Sequence, residues 1–184
     1  ALLDAARRIG HNRQVTFVLA LAPGFKIEAS RFWERIRSTS IQVIEGKTWD
    51  VLAHSDLALA ASGTVTIEAA LLGVPLVTFY RVNELSWRLG RWMVRAPFLS
   101  MVNLVAERRL APELIQNEAT GERIAAEAVR LLEDDDARAE MRAGLAEVAA
   151  RLSGKLGGAG DPMETAAAWI EKVFSERQQT VHAD

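Results

Sequence analysis

With 184 residues, of which 49% are hydrophobic and 25% charged, the chain is long enough to bury one sizeable core, and a single domain is the expectation. A net charge of -2 offers no global attraction to nucleic acid, and a cysteine count of 0 excludes disulfides and thiolate metal sites, which fits a reducing, cytoplasmic compartment. The histidines, His11, His54 and His182, lie too far apart in sequence to suggest zinc, no apolar run reaches the roughly 18 residues of a membrane-spanning helix, and the N-terminus lacks the layout of a signal peptide.

Leu2, Leu3, Ala6 and Ile9 fall on one side of an amphipathic helix that Gly10 stops, so the chain reads as starting inside an element. Val15 to Leu21 is a continuous run rich in branched residues and predicts a strand buried on both faces, turned by Pro23-Gly24. A helix over Ile27 to Arg37 would turn Trp33 and Ile36 inward, with Phe32 flanking and Arg31 paired outside with Glu34 or Glu28. Ile41 to Ile44 is a short strand, and Thr48 caps a brief helix toward His54.

The stretch from Leu57 to Pro75 organises the rest. Leu57 to Ala60 predicts a strand, Ala61 to Thr64 a turn, and the Ala, Leu and Ile that follow a buried helix ending at Gly73. The turn has what an anion needs. Gly63 can take backbone angles closed to other residues, and Ser62, Thr64 and Thr66 offer hydroxyls beside the unpaired N–H groups of the helix's first turn. Glu68, about one turn further on, can accept hydroxyl protons from a ribose. The same residues also describe an ordinary cap, with Thr64 or Ser62 closing the helix and an acid complementing its dipole.

Val74 to Phe79 is another strand, ending at Tyr80-Arg81. Strands alternating with helices at these intervals predict right-handed crossovers and an α/β fold with a mostly parallel, doubly wound sheet, in which ligands bind beyond the C-terminal strand ends. Ser62-Gly63-Thr64 and Tyr80-Arg81 both occupy such ends. From Glu84 onward Arg88, Arg91 and Arg95 form one helical stripe, Leu85, Leu89 and Trp92 another, with Trp87 nearby. That is either a helix docked by its Leu and Trp with a solvated Arg face, or a surface for anionic lipid or phosphate.

Phe98 to Leu104 reads as a strand or loop with Ser100 and Asn103 as its polar points, an asparagine there usually satisfying backbone in a turn. Pro112 to Gln116 reads as a helix start. Thr120 caps a helix over Gly121 to Glu133 that buries Ile124, Ala128, Leu131 and Leu132, and Asp134-Asp135-Asp136 heads another through Arg151 as cap and dipole complement, not as a metal site. Gly154 to Gly160 predicts a mobile loop without the features of a P-loop, and Asp161-Pro162 opens a last helix from Met163 to about Glu176. The domain would thus divide into a sheet core over about 1–117, C-terminal helices over about 120–178 and a tail at 179–184.

In order and spacing, Ala61 to Glu68, Gly73-Val74-Pro75, Tyr80-Arg81, Ser100 with Asn103-Leu104, and Pro112-Glu113-Leu114 with Gln116 resemble the lipid-A-disaccharide synthases, membrane-associated glycosyltransferases. The resemblance is strongest from Val15 to about Gln116 and looser through the helical end. It implies a GT-B enzyme, two Rossmann-like halves closing on a cleft, of which this chain is the C-terminal, donor-binding half, its sheet carrying helices on both faces. It also implies transfer of a diacylated glucosamine from UDP to a lipid-linked glucosamine phosphate, with inversion and without a metal or other cofactor.

Carried over by the same resemblance, Ser62, Gly63 and Thr64, with Thr66 beside them, would hold the diphosphate and Glu68 the ribose. Tyr80, Arg81, Ser100, Asn103, Glu113 and Gln116 would line the nucleotide side of the cleft. The implied partners are the UDP-linked diacylglucosamine donor, a lipid acceptor, the N-terminal half, and an anionic surface of the inner membrane met by Trp87, Arg88, Arg91, Trp92 and Arg95; nucleic acid is not among them. Two departures stand out. The family's Ser-Leu-Pro-Asn-Leu appears as Ser100-Met101-Val102-Asn103-Leu104, and the family's Gly-Ser-Arg loop and N-terminal half, with acceptor site and general base, are absent. The chain alone is therefore expected to bind nucleotide weakly and not to catalyse transfer. Another UDP-sugar transferase or epimerase domain, a non-catalytic nucleotide-binding or interaction module, and a membrane-surface module are the competing readings.

Overall fold

The computed structural model describes residues 1–11, 13–30, 32–83, 87–88, 96–153, 163–164 and 166–172. Their order is α1 (Leu2–Gly10), β1 (Val18–Leu21), a 3-10 turn (Ile27–Ala29), α2 (Trp33–Arg37), β2 (Gln42–Glu45), α3 (Thr48–Ala53), β3 (Ala58–Ala61), α4 (Val65–Leu71), β4 (Leu76–Tyr80), α5 (Met101–Ala106), β5 (Glu113–Ile115), a second 3-10 turn (Gln116–Glu118), α6 (Gly121–Glu133) and α7 (Asp135–Leu152). Every strand pair is parallel, as crossover helices require. The ladders fall into two groups, β1 with β2 and β3-β4-β5, so the fold is α/β with parallel sheets, the Rossmann-like class.

The main core forms around β4, whose Leu76 and Val77 are fully buried because the strand is flanked on both edges. Ile124 and Leu131 of α6, Leu145 and Val148 of α7 and Val102 of α5 complete it. α1 lies along α6, while α4 packs on α5 and α7. A smaller cluster joins Leu21, Ile27 and Ile36, with Trp33 packed against it as the helical spacing anticipates.

Several local expectations are corrected by pairing over long range. The first strand begins only at Val18, which is exposed, and its middle residues are half-buried, so it is not buried on both faces; β2 is its ladder partner among the described residues. Ile27 to Arg37 is not one helix, because Ser30 is extended and its hydroxyl accepts the Phe32 N–H at 3.1 Å. Phe32 is exposed. Lys47 precedes the first turn of α3, and no side chain caps that helix. In α1 the buried positions are Ala5 and Ile9, with Leu2 exposed.

Two larger corrections concern the region after β4. Residues 101–106 are helical instead of strand or loop, and Pro112 to Gln116 carries the strand β5 in place of a helix start. Thr78 explains the latter: its N–H and its hydroxyl both donate to the Pro112 carbonyl, at 2.8 and 3.0 Å, drawing the segment into the sheet. The two helices near the end follow expectation, Thr120 accepting from the Arg123 N–H at 3.2 Å and Asp134 from the Ala137 N–H at 2.8 Å. Residues 163, 164 and 166–172 are helical. Arg31, Arg91, Trp92, Arg95, the Gly154 to Gly160 loop and the 179–184 tail lie outside the described residues, while Trp87 is half-buried and Arg88 exposed. Among the described residues no helix is long and apolar enough to cross a membrane.

Candidate functional site

β3 and β4 run side by side, with Ala61 opposite Phe79, so the turn that follows β3 emerges beside Tyr80 and Arg81. Within that turn Ser62 donates its N–H to the Phe79 carbonyl at 2.8 Å, continuing the ladder by one residue. The N–H groups of Gly63, Thr64 and Val65 have no acceptor among the described residues. Neither Thr64 nor Ser62 closes the helix, since no side-chain cap bond forms at α4. A side-chain cap is therefore absent at α4, and three adjacent amides are left without an acceptor among the described residues.

Gly63 does not have a positive φ, so the left-handed freedom of glycine is not used. A Cβ placed on it would meet nothing within 4 Å, so the fold itself does not demand glycine; what the missing side chain leaves is open space beside the Gly63, Thr64 and Val65 amides. Thr66 is fully buried, and its hydroxyl donates to the Gly63 carbonyl at 2.7 Å, so it shapes the turn from inside. Thr64 is exposed. Glu68 is half-buried one turn along, its N–H bonded to the Thr64 carbonyl at 3.1 Å and its carboxylate without a partner among the described residues.

Tyr80 is half-buried at the end of β4, and Arg81 is exposed, with no ion pair among the described residues. The chain beyond them is clamped by Gln116, whose side-chain oxygen accepts the Val82 N–H at 2.7 Å while its amide donates to the Val82 carbonyl at 3.1 Å. Gln116 holds this position from a left-handed backbone, φ 50, that glutamine rarely adopts.

The remaining anticipated residues sit beneath this rim. Ser100 is fully buried and caps α5, its hydroxyl accepting the Asn103 N–H. Asn103, also fully buried, accepts the Leu110 and Ala111 N–H groups, each at 2.9 Å, and donates to the Ala111 carbonyl at 3.0 Å. Glu113 is buried with one carboxylate oxygen accepting the Leu99 N–H at 2.9 Å and also the Ser100 N–H. The anticipated set thus divides into a rim, Ser62 to Thr64 with Glu68, Tyr80 and Arg81, and a support of Thr66, Ser100, Asn103, Glu113 and Gln116. Leu99 and Pro112 were not anticipated, because they act through main-chain groups that leave no mark on residue type.

A cleft of about 500 Å³ lies elsewhere, between β5, α6 and α7, lined by residues such as Pro112, Arg123, Arg130 and Met141 and by none of the rim. Its arginines Arg123 and Arg130 pair with Glu118 and Glu127. Among the described residues no group of three or more His, Asp or Glu could hold a metal ion. What distinguishes the rim is a set of main-chain donors at the C-terminal end of a parallel strand, with the Glu68 carboxylate in the first turn of the helix that follows, none of them paired among the described residues.

Comparison with known proteins agrees with this architecture. A family model described as lipid-A-disaccharide synthetase matches residues 4–154, which include the whole rim and its support. The chain belongs to the lipid-A-disaccharide synthase family. It is 52% identical over 160 residues to the lipid-A-disaccharide synthase of Solibacter usitatus, covering 87% of this chain and 42% of that protein. Its identity to the lipid-A-disaccharide synthase of Nitrosococcus oceani is 42% over 143 residues, 77% of this chain and 37% of the relative. The enzyme of Acidobacterium capsulatum aligns over 97% of this chain and 46% of its own length at 36% identity. The chain therefore spans less than half the length of these lipid-A-disaccharide synthases, which are glycosyltransferases.

Proposed function

We propose that this chain is the donor-binding half of a lipid-A-disaccharide synthase and takes the UDP of a UDP-linked diacylglucosamine at the rim between Ser62 and Arg81. The reading is carried by the Gly63, Thr64 and Val65 amides, which have no acceptor among the described residues, at the end of a parallel strand in a chain of this family. They offer a diphosphate several donors without reorganisation, and the Arg81 guanidinium stands at the same strand ends. Glu68, half-buried and without a partner among the described residues, would accept from the ribose hydroxyls, and Tyr80 would flank the nucleotide. Ser100, Asn103, Glu113 and Gln116 serve the site from below.

In the whole enzyme, on this reading, the glucosamine unit passes with inversion to a lipid-linked glucosamine phosphate, and the N-terminal half supplies the acceptor site and general base. The leaving diphosphate gains its charge among fixed amide dipoles, so no metal is needed to stabilise it. Trp87 and Arg88, with Arg91, Trp92 and Arg95, would meet an anionic surface at the cytoplasmic face of the inner membrane.

Calorimetry with UDP tests this. The wild-type chain is expected to bind in the micromolar to millimolar range, and Glu68→Ala to weaken binding about tenfold, less for 2′-deoxy-UDP, which lacks one of the hydroxyls. Gly63→Val places its side chain in space the structure leaves open, so the fold is expected to survive while UDP binding is lost. A wild-type chain that shows no binding at millimolar UDP would overturn the reading.

A further inference from the structure

Resting on that nucleotide reading, we propose that Ser62 acts as a tether for its turn and not as a phosphate ligand, and that Glu113, through the main chain of Leu99, is the positioning residue that sets the turn. A serine hydroxyl has one proton to donate. Ser62 gives it to the Leu99 carbonyl at 2.8 Å. What remains on that oxygen is acceptor capacity, which an ionised phosphate cannot use. The diphosphate is left to the amides of Gly63, Thr64 and Val65, unpaired among the described residues, and to the exposed Thr64.

The tether is only as firm as its anchor. Leu99 is held by Glu113, one oxygen of which accepts both the Leu99 and the Ser100 N–H, a charge-assisted arrangement stronger than neutral bonds. Glu113 is 3% exposed and stands on β5 opposite Thr78 of β4. Its main-chain carbonyl is fixed by Arg109 at 3.1 Å. Ser62 is thus pinned twice: by its N–H to Phe79 on β4, and by its hydroxyl, through Leu99, to Glu113 on β5. The β5 residue that resemblance places against the nucleotide reaches it only through this chain of bonds.

Two measurements decide. In the nucleotide-free protein, Ser62→Ala is expected to speed hydrogen exchange at the Leu99 and Ser100 amides by about three- to tenfold, the loss of one hydrogen bond, while Ser62→Thr restores it. Unchanged exchange in Ser62→Ala would overturn the tether. In UDP titrations, Ser62→Ala and Glu113→Met are each expected to weaken binding about three- to tenfold, the double variant no more than the worse single one, and Glu113→Gln to restore affinity, because its amide oxygen still accepts both N–H groups. Additive losses, or a glutamine that fails to restore binding, would overturn it. If Glu113→Met does not fold, the exchange comparison of Ser62→Ala with Ser62→Thr decides. Should the wild type bind no UDP, the nucleotide reading fails, and the exchange result still judges the tether.

Discussion

Asn103 and Glu113 are polar side chains that a reader of the sequence would place in a binding site, and both are inside. Asn103 satisfies three main-chain groups of the 110–111 segment; the Leu110 N–H also reaches the Arg108 carbonyl, but the buried Ala111 N–H and carbonyl have no other partner among the described residues, so truncation orphans a donor and an acceptor together. Asn103→Ala is expected to destabilise the chain by about 3 kcal/mol in urea unfolding, and Asn103→Asp, which keeps both acceptor contacts, by less. At the surface, the Asp4 carboxyl lies below its ordinary 3.8, first because Arg8 donates a hydrogen bond to it at 3.0 Å and then through the charges of Arg8 and Arg7. The folded state therefore holds that proton less tightly than the unfolded chain. Asp4's contribution is complete above the ordinary carboxylate range and is lost as pH falls through the depressed value. Thermal melts taken between about pH 5 and about pH 2 are expected to show a small acid loss that Asp4→Asn lacks.

At the scale of elements, the packing of α1 on α6 depends on Gly121. A Cβ there would run into the Asp4 side chain and lie 2.8 Å from the Ala1 carbonyl oxygen, a backbone atom that cannot swing aside. Gly121→Ala is expected to lower stability by about 2 kcal/mol despite alanine's better helix propensity. Gly144→Ala is expected to be milder, since its added methyl meets the movable ends of Leu110 and Arg108. Differential scanning calorimetry of the two variants gives the comparison, and equal losses would contradict it. The same scale explains the misreading of 112–116. Pro-Glu-Leu is a fair helix start locally, but the Pro112 carbonyl is claimed by Thr78, 34 residues away, and the strand forms.

For the whole molecule, the chain spans less than half the length of these relatives, and on the proposed reading the rim would hold a leaving diphosphate while the acceptor is activated elsewhere. Incubated with donor and lipid acceptor, the chain alone is expected to form no disaccharide, and mixing it with a separately produced N-terminal half of a related synthase to restore some product. Disaccharide formation by the isolated chain, followed by chromatography of the lipid products, would refute this.

Residue pattern alone determined the alternation of strand and helix, the parallel class, the placement of Ser62-Gly63-Thr64 and Tyr80-Arg81 at one rim, and the caps Thr120 and Asp134, because each follows from periodicity or a local bond within a few residues. Tertiary structure decided the rest. Whether 112–116 is strand or helix, and which polar residues lie at the surface and which hold the main chain, depend on partners dozens of residues away. A serine whose hydroxyl ties down Leu99 and a serine whose hydroxyl awaits a phosphate are the same letter in a sequence. Only the distance to a carbonyl 37 residues further along the chain tells them apart.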